Sequence, residues 1–150
     1  MKVISSLDTR FGHDYLAKAL ATDDKLEQIM WSFCVLEVLF GAGEGVRQAI
    51  SRRLGTCLAR SKAEGERLVG QFDKIYKLPC DLVHTNTFKK EPTFETVTDS
   101  RELARRGLLW FAEYLSTKKI LSDECPKRSS VLKWMDRQFE QPQGATDLST

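Results

Sequence analysis

The stretch Asp24-Lys25-Leu26-Glu27-Gln28-Ile29-Met30-Trp31-Ser32-Phe33-Cys34-Val35-Leu36-Glu37-Val38-Leu39-Phe40 decides the fold. It contains neither Gly nor Pro, and Asp23 or Asp24 can cap its start by accepting from the free amides of a first helical turn. Leu26, Met30, Phe33, Glu37 and Phe40 recur at helical spacing, flanked by Ile29 and Leu36. From Ile29 to Phe40 the segment is apolar nearly all round, which predicts a central, buried helix. Gly41-Ala42-Gly43 ends it.

Helical periodicity continues on both sides. A short helix is expected from about Asp14 to Ala21. A second long one is expected from Glu44 to about Arg60, with Val46, Ile50, Arg53, Leu54, Cys57 and Leu58 inward and Gly55 allowing another helix to approach. Lys62 to Tyr76 carries Leu68, Phe72, Ile75 and Tyr76 on one face, and the register continues into Leu82 and Val83. Pro79 removes a backbone donor and clashes one turn back, so a kink or break is expected there. Residues 85–98 are expected to be a loop, with Asp99 and Glu102 as a capping pair opening a helix to about Ser116. Its inward residues are Leu103, Leu108, Trp110, Phe111, Tyr114 and Leu115. After Pro126 a last amphipathic helix carries Val131, Leu132, Trp134, Met135 and Phe139. With no repeat and no strand pairing, the expectation is an all-α bundle of about five or six helices forming a single domain over residues 1–140. Residues 141–150, poor in large apolar side chains, are expected to form a disordered tail.

Composition narrows the chemistry. At 150 residues the chain suits one core. Its 23 basic and 21 acidic side chains leave a formal charge of +2, so any basic site must come from local arrangement. No apolar stretch suits a signal peptide or a membrane span, and a cytoplasmic protein with no membrane contact is expected. The four cysteines, Cys34, Cys57, Cys80 and Cys125, form no CxxC pair. They are expected to be reduced and packed inside, and with two histidines in the chain no metal site and no cofactor are expected.

Three features carry candidate chemistry. Glu37, on the apolar stripe of the most buried helix, needs a partner. It is either half of an ion pair with Arg53, tying two helices together, or an acid that orients a catalytic group. His84 is the side chain best suited to moving protons near neutral pH. If the helix runs on through Pro79, Lys77, Asp81 and His84 share one face opposite the apolar stripe, a set able to handle a phosphodiester. The basic doublets Arg52-Arg53, Lys89-Lys90, Arg105-Arg106 and Lys118-Lys119 are either solvated faces or phosphate contacts. Gly41-Ala42-Gly43-Glu44-Gly45 has no strand before it and no Lys-Ser/Thr after it, which excludes a phosphate-binding loop.

The segments Val35-Leu36-Glu37-Val38-Leu39-Phe40, Ser51-Arg52-Arg53-Leu54-Gly55-Thr56-Cys57-Leu58 and Ile75-Tyr76-Lys77-Leu78-Pro79-Cys80-Asp81-Leu82-Val83-His84 together resemble the HEPN superfamily, and most closely its ApeA-like branch. There a Leu-Glu-Ala-Leu-Phe-type helix precedes an Arg-rich helix and then one reading Tyr-x-x-Arg-Ser-x-x-Val-His. The resemblance covers about Leu26 to Leu115. It implies a helical bundle that homodimerises, bringing an Arg-x4–6-His motif from each chain to a shared cleft. It also implies metal-independent cleavage of RNA in phage defence, toxin–antitoxin systems or stress response, with an antitoxin or nucleotidyltransferase as further partners. Carried onto this chain, His84 takes the acid–base role, Glu37 the helix acid, and Arg53 the arginine of the preceding helix. Arg53, Arg52 and Asn86 are the expected RNA contacts. The motif arginine is absent, since positions 77 to 79 hold Lys77, Leu78 and Pro79, and Thr85 replaces the glycine often found after the histidine. Lys77 supplies charge there but not a forked contact with phosphate. Two readings follow: an endoribonuclease that uses His84, Lys77 and Glu37, or a lapsed domain that dimerises and binds RNA or a protein partner.

Overall fold

A computed structural model describes the backbone of residues 7–43, 45–85 and 91–140, and the side chains of 9–43, 45–78 and 91–140. The disordered-tail expectation for 141–150 lies outside the described residues, as do Asn86 and Lys89-Lys90. Six helices and no strand occur among the described residues: α1 (Leu7–Ala21), α2 (Lys25–Phe40), α3 (Val46–Leu58), α4 (Lys62–Thr85), α5 (Phe94–Ser122) and α6 (Arg128–Glu140). The protein is an all-α bundle.

The central segment is helical and buried, but its phase differs from the expected stripe. The buried face of α2 is Ile29, Ser32, Val35, Leu36, Leu39 and Phe40, whereas Met30 and Glu37 are exposed. A helix apolar on every side gives periodicity little to lock onto, so its packing partners set the rotation. Ser32 sits at the centre of the buried face because its hydroxyl donates to Gln28 O at 2.7 Å, which satisfies its polar atom within the helix. Asp24 caps the start by accepting from Glu27 N at 2.9 Å. The turn into α3 needs positive φ at Gly43 (84°) and Gly45 (66°).

Around α2 the other helices contribute Ile50, Leu54, Leu68, Phe72, Ile75, Leu103, Leu108, Phe111, Val131, Leu132 and Met135 to one continuous core. The close approach is made not by Gly55, where an added Cβ would meet nothing within 4 Å, but by Gly107 of α5, where it would lie 2.8 Å from Phe40 Cε2. A side chain there would collide with the aromatic ring, so α5 seats against the end of α2.

Three helices differ in extent from the sequence expectation. α1 begins earlier, at Leu7. α5 starts at Phe94 rather than Asp99, because Thr93 accepts from Thr96 N and supplies the cap, and it runs on to Ser122. α4 does not break at Pro79, and its backbone stays helical to Thr85. Leu68, Phe72 and Ile75, all buried, anchor the turns before the proline, and tertiary packing of this kind outweighs the cost of a proline inside a helix, about 3 kcal/mol for the lost hydrogen bond and the ring clash together. Phe139, expected inside, is 60% exposed near the end of α6. Cys34, Cys57 and Cys125 are free thiols, half-buried rather than interior. No helix among the described residues is long and apolar enough to cross a membrane.

Candidate functional site

The continuity of α4 decides how the candidate residues of the third segment stand relative to one another. Positions 77, 81 and 84 of one unbroken helix stand in register, His84 lying seven positions after Lys77, a rise of about 10 Å. Lys77 is exposed; the side chains of Asp81 and His84 lie outside the described residues. One turn before Lys77, Asp73 is gripped by Arg47 of α3, whose Nη2 is 2.8 Å and Nε 3.0 Å from Asp73 Oδ1. The same guanidinium lies 5.4 Å from the centre of the Tyr76 ring, a cation–π contact. Arg47 was not singled out from the sequence. Its partner is 26 residues away, and only the antiparallel packing of α3 on α4 brings them together.

Arg53, by contrast, is occupied. It is 6% exposed, and its Nε and Nη2 donate to the two carboxylate oxygens of Asp136, 2.9 Å each. Its Nη1 donates to the carbonyls of Phe40 and Ala42. Arg128 of α6 approaches the same end of α2 and donates to the carbonyls of Leu39 at 3.2 Å and of Gly41. The last carbonyls of a helix lack intrahelical partners and carry the negative end of its dipole. α2 has no basic residue in its own last turn, so arginines from α3 and α6 perform the capping. The expected Glu37–Arg53 pair does not form: Arg53 points into the bundle, while Glu37 is exposed and makes no ion pair among the described residues.

Arg52 shares Asp136 at a longer 3.6 Å and lies 5.4 Å from the centre of the Phe139 ring. Its Nε is buried with no acceptor among the described residues. Chiefly through the hydrogen bonds from Arg53, the Asp136 carboxyl is held below the usual aspartate range. Burial pushes the Cys34 thiol up, with the neighbouring Glu37 adding to the effect. Burial alone raises the Cys57 thiol further. Neither is a ready nucleophile, since the thiolate is the reactive form.

Lys77 and Arg47 therefore stand along the α3–α4 edge. Arg52 and Arg53 meet Asp136 at the α3–α6 corner, and Glu37 lies apart from both on α2. No group of three or more His, Cys, Asp or Glu side chains able to hold a metal ion occurs among the described residues. Comparison of the chain with protein-family models, curated proteins and solved structures finds no match.

Proposed function

We propose that this chain is a HEPN-type domain of ribonuclease ancestry that acts on RNA along the outer edge of α4 as a homodimer. The observation that carries the reading is the unbroken α4, which keeps Lys77 and His84 in register despite Pro79. In this mechanism Lys77 and Arg47 stabilise the negative charge that builds on the phosphodiester, one as a point charge and one as a fork. His84 takes the proton of the attacking ribose 2′-hydroxyl and returns one to the leaving oxygen. Arg47 must loosen its hold on Asp73 to reach a phosphate, which is a small change for a pair whose side chains are 36% and 38% exposed. Arg53 serves the fold, and Glu37 has no catalytic part in this mechanism.

A second reading has its own support. No arginine occupies positions 77 to 79, and Arg53 is committed to Asp136 and the end of α2. These favour a lapsed domain that binds RNA, an antitoxin or a nucleotidyltransferase without cutting. Incubating the parent protein, His84→Ala and Lys77→Ala with total RNA in a chelator separates the two. The nuclease reading expects cleavage by the parent, its loss in His84→Ala and at least a tenfold fall in Lys77→Ala. Cleavage equal in parent and His84→Ala, or absent from a dimeric parent, rejects it.

A further inference from the structure

Along the α3–α4 edge the cations outnumber the acids. α3 carries Arg47, Arg52 and Arg53 and no acidic residue. Arg52 and Arg53 turn to Asp136 of α6, while Arg47 turns to α4. From Arg67 to Leu78, α4 carries Arg67, Lys74 and Lys77, and Asp73 is its only acid there. Arg67 pairs with Glu64. Lys74 and Lys77 are exposed and form no ion pair among the described residues. Among Arg47, Lys74 and Lys77 stands one carboxylate, Asp73, and Arg47 holds it.

Two arginines of one helix thus meet their acids in different ways. Arg53 is a structural tie: it is 7% exposed, gives Nε and Nη2 separate oxygens of Asp136, and turns Nη1 to the end of α2. Arg47 places Nε and Nη2 on a single oxygen, Asp73 Oδ1, at 3.0 and 2.8 Å. Asp73 Oδ2 accepts from no donor among the described residues, so the fork is half used. Both side chains are more than a third exposed, so an anion can reach the guanidinium without opening the core. The Tyr76 ring, 5.4 Å from the guanidinium, braces Arg47 whether or not the carboxylate holds it. A phosphodiester offers this fork two oxygens where Asp73 gives it one.

We infer that Asp73 is the resident anion of an RNA-phosphate subsite formed by Arg47, Lys74 and Lys77, and that it holds the subsite in check until a phosphate displaces it. The inference rests on the RNA-directed reading above and adds the regulation of that edge: Asp73 sets its affinity below what its cations alone would give. The displaced carboxylate returns to water, a small cost for a group this exposed.

A double-mutant cycle tests this, read by fluorescence anisotropy with a labelled single-stranded oligoribonucleotide at low salt, on a His84→Ala background that prevents cutting. Asp73→Asn keeps the shape and removes the charge, and is expected to tighten binding about threefold, within the worth of an exposed ion pair. Glu66→Gln controls for the general loss of negative charge, since Glu66 is exposed two turns earlier on the same face of α4. It should tighten binding by less than about 1.5-fold, because solvent screens it from the subsite. Arg47→Gln should weaken binding, and in its background the gain from Asp73→Asn should shrink to that of Glu66→Gln. Phenylglyoxal labelling followed by peptide mass spectrometry gives a second readout, in which Arg47 of Asp73→Asn should react faster than Arg47 of the parent while melting curves match. Equal gains from Asp73→Asn and Glu66→Gln overturn the proposal. So do a gain that survives Arg47→Gln, an unchanged labelling rate, and failure of parent and Asp73→Asn alike to bind. Tighter binding by Asp73→Asn in a chain that never cuts RNA would reject the nuclease reading and uphold this one. Cleavage through His84 that ignores Asp73→Asn, with binding unchanged, would do the reverse.

Discussion

Replacing Asp136 by Asn tests the clamp that joins α3, α6 and the end of α2. The substitution keeps the shape and removes the charge, leaving Arg53, whose side chain is 7% exposed, without its counter-ion. Removing one partner of a buried pair costs about 3–5 kcal/mol. The Asp136 side chain is 30% exposed and Arg53 keeps its bond to Phe40 O, so about 2–3 kcal/mol is expected, below the fully buried case. For a chain of this length that lowers Tm by about 4–12 °C. Thermal and guanidinium unfolding followed by circular dichroism at neutral pH measures it. Because the folded-state pKa of Asp136 is depressed, its contribution is fully present above the unfolded value of about 3.9 and is lost as pH falls through the lower folded value. The gap between parent and Asp136→Asn should therefore be constant from pH 5 to 7 and close in stronger acid. Arg53→Met combined with Asp136→Asn should cost less than the sum of the single changes by about 1 kcal/mol or more. A single variant within about 0.5 kcal/mol of the parent, or strict additivity, would refute the clamp.

Further expectations concern packing and reactivity. Gly107→Ala drives a methyl into Phe40 and should cost about 1–3 kcal/mol. Gly55→Ala, which meets open space inside α3, should be neutral or stabilise by up to about 1 kcal/mol; chemical denaturation of the two reverses the roles that the sequence suggests. Trp134→Ala removes a ring 6.2 Å from Trp110 and 5.3 Å from Tyr114. It should lower stability by about 2–3 kcal/mol, less than a fully buried aromatic because Trp134 is half-buried, and should red-shift the remaining tryptophan emission. Because burial pushes the Cys57 thiol up, iodoacetamide at pH 8 should leave Cys57 unmodified in the native protein and label it in guanidinium, as peptide mass spectrometry would show. Rapid labelling of the native state would contradict its burial.

The sequence by itself determined that the chain is helical, where most helices lie, and that Ile29 to Phe40 forms the centre. Long apolar runs free of Gly and Pro admit little else. It also marked Arg53, Leu54 and Ile50 as inward, because α3 is amphipathic enough to show its face. The rotation of α2 was not legible in this way. With apolar residues on every side, only the surrounding helices select Ser32 over Glu37 for the interior. The partners of the arginines were hidden for a different reason. Arg53 and Asp136 are 83 residues apart, and Arg128 reaches carbonyls of α2 nearly 90 residues earlier in the chain. Backbone carbonyls carry no sequence signature, so which arginines cap a helix and which stay available to a ligand was decided only when the tertiary structure set their neighbours.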